Sequence, residues 1–98
     1  MAANIAALRA RAPQHPALER YAAIARRLTG RGDATADDGV DWVRGLCAEL
    51  SVPPLRAWGI AEADLPGIVD KAARASSMKA NPLSLTSEEL LALAAAAL

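Results

Sequence analysis

The stretch ASSMKANPLSLTSEEL, residues 75–90, decides the fold, because a loop stops in it at Asn81-Pro82 and a helix starts after Thr86. Thr86 is a good N-cap, and Glu89 follows three residues later, which is the spacing of a capping box. The helix that this box opens runs to the end of the chain. It is apolar on nearly every side, so it needs burial on more than one side. The stretch therefore predicts a loop over residues 76–85 followed by a last, fifth helix.

Length and composition restrict the fold class. The chain has 98 residues, of which 53% are hydrophobic, so one domain with a modest core is possible. Its aromatic residues are one Tyr and two Trp, and there is no Phe. Alanine dominates and β-branched residues are few, which favours helices. We expect residues 1–98 to form a single all-α domain, a small bundle of about five helices with a thin core.

Two helices are expected in the first third of the chain. The first covers about residues 2–12, and Pro13 ends it. The second begins near Pro16, which suits a first turn, and Gly30 is a natural C-terminal stop. The apolar positions at helical spacing are Ile5 and Leu8 in the first helix and Leu18, Tyr21, Ala25 and Leu28 in the second. Each pattern predicts one apolar stripe per helix.

A third helix is expected after Thr35, with Asp37 and Asp38 in the first turn, where negative charge complements the helix dipole. Gly39 and Gly45 weaken this helix, and close packing against a neighbour would explain them. The predicted buried stripe consists of Val43, Leu46, Cys47 and Leu50.

Prolines separate the third helix from the fourth. Pro54 begins a short turn that Gly59 closes, and residues 60–64 lead into the fourth helix. Pro66 is tolerated there because it falls near the helix start. The apolar stripe of this helix is Leu65, Ile68, Val69 and Ala72. No strand pattern and no internal repeat accompanies these helices.

Charge is balanced overall, with eleven Lys and Arg against eleven Asp and Glu, so a polyanionic partner is not implied. The distribution is uneven: residues 1–31 carry six Arg against one acid, and residues 33–49 carry five acids against one base. The two segments could attract one another, but two oppositely charged solvated faces are the simpler interpretation. A nucleic-acid interface at Arg20, Arg26 and Arg27 is the weakest hypothesis, since no recognition-helix signature accompanies them.

Few residues are candidates for chemistry. His15 is the only histidine and lies in a proline-flanked turn, so we interpret it as a surface residue and not a metal ligand. Cys47 is the only cysteine, expected as a small core residue and not a nucleophile, and a lone cysteine fits a reducing cytoplasm. Acids 37, 38 and 41 lack the spacing of a calcium loop, and the glycines of residues 29–32 do not follow a strand. We therefore predict no catalytic residue and no metal ligand in this chain.

An ordered series of motifs resembles a known family. It begins with SVPPLRAWGI at residues 51–60 and continues with EADLP at 62–66 and a helix ending in KAA at 71–73. It closes with SSMKANP, LT and EL between residues 76 and 90. The series is similar to the C-terminal part of the iron-containing (group III) alcohol dehydrogenases, which include maleylacetate reductases. The resemblance covers essentially the whole chain.

The resemblance implies a domain organisation and a chemistry. Family members bind NAD(P) in an N-terminal α/β domain and hold a divalent metal, Fe or Zn, in a helical C-terminal domain through one Asp and three His. Those ligands and the Gly-rich nucleotide loop precede the region matched here, and His15 does not take a ligand's place. The chain thus resembles the distal half of the metal domain, with neither metal nor cofactor site. In a complete enzyme the Asn-Pro loop lies towards the cleft, so Lys79 and Asn81 are expected to line it. The alternative is that Asn81 stabilises the turn and Lys79 is solvated.

Two functional hypotheses result. The first is a fragment, or truncated reading frame, of an iron-type alcohol dehydrogenase that is inactive alone. The second is a stand-alone helical protein-interaction module that kept the fold and lost catalysis. Helices that packed against a missing half would expose apolar faces, chiefly helix five and the stripe of helix one. We expect a homo-oligomer formed through these faces, with a symmetric dimer as one form, and neither a nucleic-acid nor a membrane partner.

Overall fold

Five α-helices and three short 3-10 turns make up the computed structural model, which describes residues 1–98. The helices, labelled α1 to α5, are Ala2–Arg11, Ala17–Thr29, Ala36–Glu49, Leu65–Arg74 and Ser87–Ala96. The 3-10 turns are Leu55–Trp58, Glu62–Asp64 and Ser76–Ala80. There is no strand, so the all-α prediction is confirmed. None of the helices combines the length and the apolarity that a membrane crossing requires.

Contacts divide the chain into two compact units, Met1–Val52 and Pro53–Leu98. The first unit contains α1 to α3, and the second contains α4, α5 and the 3-10 turns. That all 98 residues form one domain stays a prediction.

The core of the first unit lies where α1 meets α2 and α3. Ile5 of α1 forms a buried cluster with Ala36 and Val40 of α3, and Leu18 and Tyr21 of α2 pack against it. The predicted stripe of α2 is therefore confirmed at these two positions, and they are half-buried.

The prediction that α1 exposes its apolar stripe is wrong. Ile5 is 2% exposed and Leu8 is fully buried, because α2 and α3 both pack against α1. A hydrogen bond of 2.9 Å from Asn4 Nδ2 to the hydroxyl of Tyr21 also fastens α1 to α2. The first unit thus contains the partners that cover α1.

Residues at the two helix ends determine where α2 stops and where α3 begins. Gly30 ends α2 in the left-handed region with a φ of 71°, a conformation that glycine adopts at least cost. Thr35 caps α3: its hydroxyl accepts from the N–H of Asp38 at 3.3 Å, and the Asp38 carboxylate accepts from the N–H of Thr35 at 2.7 Å. The predicted start of α3 is confirmed, and the reciprocal bonds with Asp38 form a capping box.

Gly39 lies at a close approach of α2 and α3. A Cβ added there would come within 2.8 Å of the Cβ of Ala25, which is fully buried. The predicted close packing is confirmed at Gly39. It is wrong at Gly45, because a Cβ added there would meet nothing within 4 Å.

The predicted buried stripe of α3 is wrong. The buried residues of this helix are Ala36, Gly39 and Val40, all near its N-terminus. In the predicted stripe Val43 is half-buried, and the exposed residues are Leu46, Cys47 and Leu50. Helical periodicity identifies the residues that share a face, but burial also needs a neighbour along the whole face. The α3 helix has such a neighbour only beside its first turns.

The second unit is built on α4 packed against α5. Its buried residues are Leu65 and Val69 of α4 and Leu90 of α5. The N–H of Leu55 donates to the carbonyl of Ala97 at 2.9 Å and ties the first turn of the unit to the end of α5. The core is small, as the alanine-rich composition predicts.

The predicted turn and cap signals of the second unit are confirmed. Gly59 closes the 3-10 turn Leu55–Trp58 with a φ of 77°. The hydroxyl of Thr86 accepts from the N–H of Glu89 at 3.1 Å, and the Glu89 carboxylate accepts from the N–H of Thr86 at 2.7 Å. Within the predicted loop, Ser76–Ala80 forms a 3-10 turn.

The last helix, α5, buries only one residue, Leu90. Leu91 and Leu93 on its other sides are 40% and 46% exposed. The expected exposed apolar face of helix five is therefore present.

Candidate functional site

The loop between α4 and α5 carries Lys79 and Asn81. The N–H of Asn81 donates to the carbonyl of Met78 at 3.2 Å and closes the 3-10 turn Ser76–Ala80. The Asn81 side chain donates from Nδ2 to the carbonyl of Leu83 at 2.8 Å, across the intervening proline. Asn81 therefore stabilises the turn, whatever other role it has.

A small cavity of about 170 Å³ opens beside this loop. Its wall combines apolar residues, among them Leu83, Leu85 and Leu90, with polar surface, and Lys79 is the one charged residue in it. Pockets for drug-sized ligands measure about 300–1,000 Å³, so this cavity has room for only a few atoms. The structure places Lys79 on the cavity wall and Asn81 outside it. That both line a cleft in a complete enzyme stays a prediction.

His15 makes a local hydrogen bond. Its Nδ1 accepts from the N–H of Ala17 at 3.1 Å, at the start of α2. No three side chains among His, Cys, Asp and Glu converge anywhere in the chain so that they could hold a metal ion. His15 therefore has a backbone-capping role in this structure.

Cys47 is exposed, so the prediction of a core position is wrong. It belongs to the part of α3 that extends past the buried residues Ala36 and Val40. The periodicity that placed Cys47 on an apolar stripe gives no signal for where the neighbouring helix ends.

The acidic start of α3 is held by arginines and by its own cap. The carboxylate of Asp37 accepts two hydrogen bonds from Arg9, at 3.0 and 2.8 Å, and these hold the pKa of Asp37 below its usual value. Hydrogen bonds from the N–H and the hydroxyl of Thr35 lower the pKa of Asp38, and Arg31 lies 3.6 Å from the same carboxylate. The two oppositely charged segments of the sequence therefore pair, in contrast to the simpler interpretation of separate solvated faces. All of these ion pairs are at the surface.

A second concave surface lies between α4 and α5, and the sequence does not predict it. We call it the α4–α5 groove; it measures about 540 Å³ and is lined by Glu62, Leu65, Pro66, Glu88, Leu91, Ala92 and Ala95. Its lining contains two carboxylates and no Lys or Arg. The one signal in the sequence is that α5 is apolar on all sides with acids in its first turn.

A comparison with protein-family models identifies the family of the chain. The family model described as Fe-containing alcohol dehydrogenase family, C-terminal, matches residues 3–98. No curated protein and no solved structure matches the chain. The family match spans nearly all of the sequence, and the all-α architecture of five helices is the one that the resemblance implies. The chain therefore belongs to the iron-containing alcohol dehydrogenase family, as a representative of its C-terminal region.

Proposed function

We propose that the chain is the C-terminal helical portion of an iron-type alcohol dehydrogenase, an NAD(P)- and metal-dependent oxidoreductase, and that it does not oxidise alcohols alone. The observation that supports this proposal is the family match over residues 3–98. In this role the helices support an active site to which another part of the enzyme contributes the reacting groups.

The residues of this chain do not fit a divalent metal. A catalytic metal site takes about three converging protein ligands, and no such set of side chains exists here. The Nδ1 of His15 accepts from a backbone N–H, and Asp37 and Asp38 already accept hydrogen bonds from Arg9 and Thr35. We infer that the metal ligands of the complete enzyme belong to a segment preceding the region matched here.

The role we propose for Lys79 is electrostatic. Its ammonium group can attract a phosphate or carboxylate at the mouth of the small cavity, without taking part in bond making or breaking. Asn81 acts as a positioning residue, because its hydrogen bond to Leu83 fixes the loop that carries Lys79.

A hybrid enzyme tests the proposal. Residues 3–98 replace the matching C-terminal region of an active family member, and metal content and NAD(P)-dependent alcohol oxidation are measured. We expect a folded hybrid that retains its metal and its activity. A hybrid that has native helicity and bound metal but no turnover would contradict the proposal.

The same hybrid tests the cleft residues. Lys79→Met should lower kcat/KM up to about fivefold, because an ion pair of an exposed lysine contributes up to about 1 kcal/mol. Lys71→Met is the matched control, since Lys71 is an exposed lysine of α4 outside the cavity wall. Equal effects of the two substitutions on kcat/KM would show that Lys79 does not line the cleft.

The second candidate function is a stand-alone interaction module, and the exposed Leu91 and Leu93 of α5 favour it. It would be preferred if the hybrid were inactive while the isolated chain unfolded cooperatively. For either function we propose a cytoplasmic location, where the exposed thiol of Cys47 would stay reduced.

A further inference from the structure

We propose that the α4–α5 groove of one copy of this chain binds an exposed basic face of α2 in a second copy. The proposal does not rest on the proposed function, since it concerns surfaces that the chain presents by itself. It replaces the general expectation of a homo-oligomer with two defined and unlike surfaces.

The α4–α5 groove offers an apolar floor with negative charge. Leu91, one of its lining residues, is 40% exposed although it is a large apolar side chain. Glu62 and Glu88 are both exposed, and neither takes part in an ion pair or a side-chain hydrogen bond. A partner with an apolar centre and flanking positive charges would cover the leucine and neutralise both carboxylates.

The outer side of α2 has that composition. Arg20, Ile24 and Arg27 are spaced by four and three residues, which places them in a row on one side of the helix, about 10 Å long. We call this row the basic face of α2. Ile24 at its centre is 45% exposed, although it is a large apolar side chain.

The two arginines of the basic face have no partner within the chain. Neither Arg20 nor Arg27 forms an ion pair, whereas the neighbouring Arg26 is bound to Glu19 at 2.6 Å. Because Glu19 is occupied by Arg26, the basic face keeps its positive charge. Two unpaired cations and a central isoleucine on α2 thus match two unpaired carboxylates and an apolar floor in the groove.

Insertion of a helix face into an apolar groove is a common mode of protein recognition. In this contact Ile24 lies against Leu91, and Arg20 and Arg27 pair with Glu62 and Glu88. Because the two surfaces differ, the contact is heterologous: each copy carries one of each surface. One helix in one groove buries less than a standard interface of about 1,600 Å², so we expect a Kd on the order of 10–100 µM.

Sedimentation equilibrium of the chain over tens to hundreds of micromolar tests the contact. At about 0.1 M salt we expect self-association. At about 1 M salt, where the Debye length falls from about 10 to about 3 Å, we expect it to weaken several-fold. A clean monomer at hundreds of micromolar, or association that strengthens with salt, would overturn the proposal.

Charge-reversal variants test whether the α4–α5 groove and the basic face of α2 form the contact. Glu62→Lys with Glu88→Lys, or Arg20→Glu with Arg27→Glu, should each weaken self-association tenfold or more. An equimolar mixture of the two reversed proteins should restore association, because the exchanged charges again match. The control reverses Glu49 alone, an exposed glutamate of α3 that makes no ion pair.

Two outcomes would overturn the assignment of the surfaces. One is association that survives either reversal, and the other is a mixture of the two reversed proteins that stays monomeric. If the lysine variant fails to fold by circular dichroism, Glu62→Gln with Glu88→Gln removes the same charges without reversing them. This neutral variant should still weaken association several-fold and abolish its salt dependence. Activity of the hybrid enzyme is a separate measurement, so failure of this contact and failure of the proposed function are distinguishable.

Discussion

Substitution of Gly39 by alanine tests the packing of α3 on α2. The added Cβ would lie 2.8 Å from the Cβ of Ala25, 3.1 Å from its Cα and 3.0 Å from Cε of Met1. Carbon atoms in contact are normally about 3.5–4.0 Å apart, so the contact to the Ala25 Cβ is too short by about 0.7–1.2 Å. Met1 can move, because its Cε is the end of a flexible side chain. Ala25 cannot, because it is fully buried in the middle of α2. The helices must therefore separate.

Two opposing effects determine how much Gly39→Ala changes the free energy of unfolding. Overpacking of this kind costs about 1–3 kcal/mol, whereas replacing glycine by alanine within a helix gains about 1 kcal/mol. Gly45→Ala is the matched control, since it lies in the same helix and its Cβ would meet nothing within 4 Å. We expect Gly45→Ala to be neutral or stabilising by up to about 1 kcal/mol. Gly39→Ala should then be less stable than Gly45→Ala by about 1–3 kcal/mol.

Urea denaturation followed by circular dichroism measures the free energy of unfolding of the native chain and of both variants. In thermal denaturation, a difference of 1 kcal/mol corresponds to a shift in Tm of about 4–8 °C for a domain of this size. Equal stability of the two variants, or a Gly39→Ala protein more stable than the native chain, would refute the close approach of α2 and α3.

The other predictions concern charge, capping and exposure. The pKa values of Asp37 and Asp38 are lowered in the folded state, so their stabilising effect is complete above the unfolded pKa of about 3.9 and is lost as the pH falls through the lower folded values. The urea concentration at the midpoint of unfolding should therefore decrease as the pH falls below about 4, and this decrease should be less steep in Asp38→Asn. An identical pH dependence in that variant would show that Asp38 does not contribute. Thr86→Ala should destabilise α5 by about 1 kcal/mol, measured by hydrogen exchange, while Ser87→Ala should have little effect; similar effects of the two would show that the cap does not form. Cys47 should react with a thiol reagent as fast in the native chain as in urea, and slow native labelling would show that it is buried.

Local features of the fold could be predicted from the sequence. The caps at Thr35 and Thr86 and the stops at Gly30 and Gly59 each depend on residues only a few positions apart. Their hydrogen bonds and φ values are properties of a short segment, so the residue type at one or two positions determines them. This explains why the number of helices and their approximate ends agree with the structure.

Burial could not be predicted in the same way. The stripe of α1 is covered and the C-terminal half of α3 is exposed, although both have apolar residues at helical spacing. Which part of a face is covered depends on the positions of other helices. Similarly, Arg9 and Asp37 are 28 residues apart, and only the tertiary fold brings them together.

In the candidate site, too, the local features could be predicted from the sequence and the features that depend on tertiary packing could not. The sequence identified Lys79 and Asn81, and the turn role of Asn81 follows from its place before a proline. The cavity beside Lys79 and the α4–α5 groove are formed by residues of different segments, such as Leu83 with Leu90 and Glu62 with Leu91. Neither concave surface could be derived from spacing alone.

The chain belongs to the iron-containing alcohol dehydrogenase family, and we propose that it does not oxidise alcohols by itself. The most direct test is an assay of the isolated chain with a series of alcohols, NAD⁺ or NADP⁺, and added Fe²⁺ or Zn²⁺. We predict no formation of NADH or NADPH above a control without protein. Reduced cofactor formed in proportion to both chain and metal concentration would contradict it.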